Sequence, residues 1–175
     1  MTSKSSKPEE IDRAEFLQAY GSAVLRWQNV ESELAGVFCA LFRPPSESGR
    51  RAAEAAIHAL MANAKLGAVD AAVQMYFYGD AAMLKRWKEL HDLVKANIDQ
   101  RNSLAHGTWL VHIELDAADT YSATHTVGKH PGKAKKGGRS FTTFTLVEAA
   151  AEFSSIAVAL KHFNDRLWNR PVEIA

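Results

Sequence analysis

The feature that most constrains the fold is an apolar stripe that runs from about Ile11 to Phe42. Its members recur at three- and four-residue steps, which is the spacing of one face of an α-helix. They are Phe16, Tyr20, Val24, Trp27, Val30, Leu34, Phe38 and Leu41. Pro44 and Pro45 follow and end the helix, because proline lacks an amide donor and restricts the residue before it. The stripe therefore predicts one long helix with one long burying face.

A second helical pattern covers Arg50 to Tyr78, where alanine is abundant and the apolar residues keep the helical spacing. Asn63 and Gly67 lie inside this pattern and can divide it, and we predict a kink or a break near Asn63. Gly79 and Asp80 then supply a stop and an N-cap, and a third long helix runs from there.

That third long helix carries apolar residues as far as Gly107, a natural C-terminal glycine. A final helix is predicted from Thr145, because Thr145 and Glu148 have the spacing of a capping box. Pro171 closes it.

The period changes after Gly107. Apolar and polar residues alternate from Thr108 to Leu115, and residues 121–127 and 140–144 are rich in β-branched and aromatic side chains. The predicted fold is mainly α, an up-and-down bundle of four to five helices with a small antiparallel β-meander inserted before the last helix. We expect a flexible segment over residues 1–10 and a single domain over 11–170, with the β insertion at about 108–145.

Composition limits the functions available to the chain. Its 175 residues are 47% hydrophobic and carry a formal charge of +1, so no overall field favours duplex nucleic acid or an anionic membrane. The sequence contains no apolar run of the roughly 20 residues that a spanning helix needs, and residues 1–10 lack an apolar signal core. These features predict a cytoplasmic protein without a membrane partner. The single cysteine, Cys39, predicts a reduced, buried thiol.

The candidate site is the run Arg101, Asn102, Ser103, Leu104, Ala105, His106 and Gly107 at the end of the third long helix. Arginine keeps a fixed positive charge and can hold two phosphate oxygens, whereas histidine titrates near neutrality and can move a proton. An amide beside them can orient both groups. Cleavage of RNA without a metal needs these functions, because the 2′-hydroxyl loses a proton, the phosphorane gains charge and the 5′-oxygen is protonated.

These seven residues and the order of helices around them resemble the HEPN superfamily, named for higher eukaryotes and prokaryotes nucleotide binding. Its pattern is an arginine, a polar residue, three further residues and a histidine. The resemblance implies a helical bundle that forms a homodimer, bringing two motifs into one cleft. It also implies a metal-independent endoribonuclease of a toxin, defence or RNA-processing system, with Arg101, His106 and Asn102 as the catalytic residues and with RNA, and an antitoxin or another protein, as partners.

Other interpretations of the motif stay open. His106 can cap the helix at the negative end of its dipole, and Arg101 can form a structural ion pair. A non-catalytic HEPN-like module that binds RNA, a nucleotide or a protein is the alternative function. Arg101 and His106 differ by about 140° around a regular helix, so either the last turn unwinds, the arginine reaches around, or the two groups serve one phosphate from different subunits.

Further candidates lie outside the motif. Glu31 interrupts the apolar stripe of the first helix and can support Arg101 or His106, or can point to water at the edge of the stripe. Trp109 can stack on a base or anchor its strand. A basic, glycine-rich loop can attract RNA phosphates or be a solvated hairpin tip; its cations are Lys129, Lys133, Lys135, Lys136 and Arg139. We find no spacing typical of a metal site and no cofactor-binding motif, so no metal and no cofactor are expected.

Overall fold

The computed structural model describes the backbone of residues 8–44, 46–106, 108–115, 121–128 and 140–169, and the side chains of 13–44, 46–106 and 141–169. Five helices occupy most of this part of the chain. They are α1 (Pro8–Phe42), α2 (Glu47–His58), α3 (Ala62–Tyr76), α4 (Ala81–His106) and α5 (Thr143–Trp168). The mainly helical class is confirmed.

The first helix ends where the prolines predict its end. α1 stops at Phe42, and Arg43 follows in the left-handed conformation with φ 36°. The amide of Arg43 still donates to the carbonyl of Cys39 at 3.0 Å, which is the geometry of a left-handed helix cap. The helix begins at Pro8, three residues before the predicted start at Ile11. Residues 8–10, which we predicted to be flexible, are therefore helical. Residues 1–7 of the predicted flexible segment lie outside the described residues.

The second helical pattern consists of two helices, and the break precedes Asn63. α2 begins after Ser46, whose hydroxyl accepts from the amide of Gly49 at 3.1 Å, and it ends at His58. Met61 then adopts an extended conformation before α3 begins at Ala62. Asn63 therefore lies in the first turn of α3, and the break falls at residues 59–61.

The starts of the two long helices that follow depend on side-chain caps. Asp80 accepts from the amide of Met83 at 3.0 Å and opens α4, and Gly79 before it has φ 88°, a conformation that glycine adopts without strain. The start predicted for the last helix was wrong by one turn. Thr142 is the cap of α5, because its hydroxyl accepts from the amide of Thr145 at 3.4 Å while Thr145 Oγ1 accepts from the amide of Thr142 at 2.9 Å.

The backbone between α4 and α5 includes three strands in the order β1-β2-β3, both pairs antiparallel. They are β1 (Thr108–Leu115), β2 (Tyr121–Gly128) and β3 (Ser140–Phe141). Thr108 pairs with Gly128 and Leu115 with Tyr121. Strand β3 has two residues, so Phe144, which we predicted at the end of a strand, lies in α5.

These elements form two compact units. The first unit comprises Met1–Leu25 and Asp99–Glu152, and the second comprises Arg26–Ile98 and Phe153–Ala175. The predicted single domain over 11–170 stays a prediction.

Aromatic side chains form the centre of the second unit. The ring of Trp27 meets Phe153 edge to face at a centroid distance of 5.1 Å. Phe163 lies 5.6 Å from Trp87 and 6.3 Å from Phe77. Such pairs contribute about 0.5–1.5 kcal/mol each beyond the area they bury. Within this unit, burial raises the pKa of the Cys39 thiol, which is the environment of an unreactive cysteine.

By length and composition alone, α5 is a helix that could cross a membrane, contrary to our expectation that no apolar run is long enough, and it is the one such helix among the described residues. Its apolar residues Phe153, Ile156, Leu160, Phe163 and Leu167 are buried. Phe153 and Phe163 make the aromatic contacts described above. Core helices of water-soluble proteins make contacts of this kind too. The cytoplasmic location stays a prediction.

Candidate functional site

Residues 101–106 of the candidate motif occupy the last two turns of α4, within the first unit, and Gly107 lies outside the described residues. Ser103 and Leu104 are buried there, Arg101 and Asn102 are half-buried, and His106 is exposed. Extended at helical spacing from Val94 and Ile98, the buried stripe of this helix would pass through Arg101, Asn102 and Ala105. Ala105 is instead exposed, and Leu104 provides the apolar contact.

Helical geometry determines which motif side chains share a face of α4. Asn102 and His106 are four residues apart and share a face, whereas Leu104 lies about 200° from each of them. Leu104 is only 2% exposed, whereas His106 on the opposite side of the turn is exposed and Asn102 is half-buried. α4 continues through His106, so the last turn does not unwind before the histidine.

Arg101 contacts Asn102, which bears on how its guanidinium and His106 could act on one phosphate. Its Nη1 atom donates to Oδ1 of Asn102 at 3.3 Å. This contact brings the guanidinium against a side chain that shares a face with His106, although the Cα positions of Arg101 and His106 differ by about 140°. The guanidinium therefore contacts the neighbouring amide. Its convergence with His106, within one chain or across two, stays a prediction.

Two hydrogen bonds hold the buried side of the motif turn, which we define as Ser103–His106. Ser103 Oγ donates to the carbonyl of Asp99 at 2.9 Å, which satisfies its buried hydroxyl. Tyr20 on α1, also in the first unit, donates its hydroxyl to the carbonyl of Leu104 at 3.1 Å. Sequence reasoning placed Tyr20 only in an apolar stripe. No local signal pairs it with a residue 84 positions away.

Glu31 has well-defined partners in the second unit. Its Oε1 accepts from Nε1 of Trp27 at 2.7 Å, and its Oε2 accepts from Nζ of Lys65 at 3.0 Å. The side chain of Lys65 is 1% exposed and that of Glu31 is 20% exposed. The carboxylate therefore compensates a buried ammonium group and orients an indole. Sequence reasoning missed Lys65, and the supporting role of Glu31 toward the motif stays a prediction.

Five of the six predicted RNA-binding residues lie in the predicted basic loop before β3. Lys129, Lys133, Lys135, Lys136 and Arg139 lie outside the described residues. Trp109 lies in β1, where its backbone pairs with Val127. The roles of all six residues stay predictions.

A second arginine, Arg43, lies at the end of α1 in the second unit. Its Nε donates to the carbonyl of Ala40 at 3.3 Å, its Nη2 donates to the carbonyl of Leu167, and the guanidinium lies 6.0 Å from the ring centroid of Trp168. Arg43 and Trp168 line a cleft of about 320 Å³ together with Arg50 and Glu47, which pair with each other at 2.8 Å. Carbonyl and carboxylate partners thus occupy the charged groups of this cleft, so it is a weaker candidate than the motif turn.

The described part of the chain contains no group of three or more histidine, cysteine, aspartate or glutamate side chains that could hold a metal ion. Compared with models of protein families, with characterised proteins and with solved structures, the chain has no match. The argument for function therefore depends on the chemistry of Arg101, Asn102 and His106.

Proposed function

We propose that this chain is a HEPN-like, metal-independent endoribonuclease of the toxin, defence or RNA-processing type, which acts as a homodimer in the cytoplasm. Arg101 holds the scissile phosphate, His106 transfers the proton, and Asn102 orients the arginine. In this proposal the helices form an up-and-down bundle, and the antiparallel meander is inserted before the last helix.

The observation that supports the proposal is the contact between Arg101 and Asn102 beside an exposed histidine. Nη1 of Arg101 donates to Oδ1 of Asn102 at 3.3 Å, and Asn102 shares a helix face with His106. The guanidinium thus lies against a side chain that shares a helix face with the exposed imidazole of His106. Phosphodiester cleavage needs both groups at the same phosphate.

The reaction can be written with these residues alone. The neutral imidazole of one protomer removes the proton from the ribose 2′-hydroxyl, and the 2′-oxygen attacks phosphorus. The guanidinium stabilises the additional negative charge of the phosphorane. The bond from phosphorus to the 5′-oxygen breaks as a protonated imidazole gives that oxygen a proton. The products are a 2′,3′-cyclic phosphate and a 5′-hydroxyl.

The need for two imidazoles favours a dimer. One proton must be removed while another is delivered, and general acid or base catalysis contributes about 10²- to 10⁴-fold in rate. A single His106 supplies one of these functions at a time. Two copies related by a twofold axis supply both, so the activity should be lost when the dimer dissociates.

The test is cleavage of single-stranded RNA in the presence of EDTA. We expect 2′,3′-cyclic phosphate ends from the wild type and no cleavage from His106→Ala, because that variant has no proton-transfer group. His58→Ala is the matched control, since His58 is also an exposed histidine in the last turn of its helix. Full activity in His106→Ala would contradict the assignment.

Host growth separates cleavage from the alternative function, a non-catalytic HEPN-like module that binds RNA, a nucleotide or a protein. Expression of the nuclease should slow its host, and Arg101→Ala or His106→Ala should relieve this effect. Equal growth with all three chains, together with retained RNA binding, would support the binding module.

A further inference from the structure

We propose that Tyr20 is a positioning residue of the ribonuclease site, which holds the motif turn in place through the carbonyl of Leu104. The inference rests on the proposed function. Tyr20 belongs to the apolar stripe of α1 and precedes Arg101 by 81 residues. The stripe accounts for its aromatic ring but not for its hydroxyl group, which donates to Leu104.

The carbonyl of Leu104 is one that needs a partner from outside its helix. In an α-helix it would accept from the amide four residues later, but that residue is Thr108, which begins β1. The hydroxyl of Tyr20 donates to this carbonyl at 3.1 Å. Tyr20 thus gives this carbonyl a donor from another helix and ties the end of α4 to α1.

This hydrogen bond acts on the side of the turn opposite the chemistry. Leu104 lies about 200° from Asn102 and from His106, so fixing its carbonyl and its buried side chain fixes the direction of both. Catalysis by oriented groups is sensitive to displacements of about 1 Å. Tyr20 contributes by limiting such displacements and has no contact with RNA in this proposal.

The test compares Tyr20→Phe, which removes only the hydroxyl, with the wild type. Tyr78→Phe is the matched control, because Tyr78 is 92% exposed. We expect kcat for RNA cleavage to fall roughly five- to tenfold in Tyr20→Phe, the effect of losing one hydrogen bond, with KM within about twofold. Both constants should stay within about twofold of wild type in Tyr78→Phe.

Amide hydrogen exchange gives a second measurement that needs no activity. In Tyr20→Phe the amides of residues 103–106 should exchange roughly five- to tenfold faster, while amides in the middle of α4 keep their wild-type rates. A purely structural role would instead accelerate exchange throughout α4 and lower kcat and the melting temperature together.

The outcomes separate this inference from the proposed function. Unchanged exchange in the motif turn, or unchanged kcat in an active enzyme, overturns the positioning role. If the wild type does not cleave RNA, the proposed function fails and the ribonuclease role of Tyr20 fails with it. The exchange rates then decide separately whether Tyr20 holds the turn.

Discussion

Two arginines near helix C-termini have different partners in this molecule. Arg43, in the second unit, donates to the carbonyls of Ala40 and Leu167 and lies over the ring of Trp168. Arg101, in the first unit, donates to a side-chain amide that shares a face with an exposed histidine. Backbone acceptors make the first arginine part of the helix ends. The second contacts a side-chain amide, so two arginines of equal charge differ in the kind of group they bind.

Replacement of Arg101 should give the largest effect. We expect Arg101→Ala to reduce RNA cleavage about 10²- to 10³-fold, the loss typical of removing one group that stabilises transition-state charge. Its free energy of unfolding should fall by about 1 kcal/mol, because the variant loses the hydrogen bond to Asn102. The measurements are initial cleavage rates in EDTA and urea unfolding.

Arg86→Ala, on the exposed side of the same helix, is the control for Arg101→Ala and should keep wild-type activity. Arg101→Lys should also lose most activity, because lysine keeps the charge but lacks the planar fork. A stability loss in Arg101→Ala as large as that in Arg43→Ala would remove the distinction between the two arginines.

Local signals predicted part of this arrangement from the sequence. Pro44 marks the end of α1, and Asp80 marks the start of α4, since each acts within one helical turn. The start of α5 was misplaced because Thr142 and Thr145 cap each other, whereas Thr145 and Glu148 have the more familiar capping pattern.

Partners across the chain could not be predicted. Glu31 and Lys65 are 34 positions apart, and Tyr20 and Leu104 are 84 apart. Periodicity identifies which face of a helix is buried, but it does not specify which residue of another helix lies opposite. The motif residues could be proposed from the sequence because their spacing is local, whereas the hydrogen bond from Tyr20 to Leu104 could not be, because it joins distant parts of the chain.

The buried ion pair of the second unit joins Glu31 and Lys65. Like Arg43, Glu31 has partners with a structural role. We expect Glu31→Ala to lower the free energy of unfolding by about 3 kcal/mol, because it leaves the ammonium of Lys65 buried without its carboxylate. Lys65→Met should cost about 1 kcal/mol, since the partly exposed carboxylate keeps its hydrogen bond to Trp27. Urea unfolding of both variants measures the difference.

Lys65→Met also serves as the activity control for this pair, with cleavage within about twofold of wild type at a temperature where it is folded. Equal losses of stability in Glu31→Ala and Lys65→Met would show that desolvation of the lysine is not the main cost.

Arg43 offers the smallest and most specific test. Two effects are combined at this residue: its side chain binds two helix ends, and its backbone is held at φ 36°, where residues other than glycine are strained. Arg43→Ala loses the side-chain contacts and keeps the strain, so we expect a loss of about 2 kcal/mol in the free energy of unfolding. Arg43→Gly loses the same contacts and relieves the strain, so its loss should be about 1 kcal/mol.

The test is whether Arg43→Ala loses more free energy of unfolding than Arg43→Gly. If glycine destabilises as much as alanine in urea unfolding, the left-handed conformation is not costly, and the side-chain contacts account for the whole effect. RNA cleavage by both variants should match the wild type, because Arg43 binds carbonyls of its own unit. A drop in cleavage at wild-type stability would instead make Arg43 part of the RNA-binding surface, and the contrast with Arg101 would no longer hold.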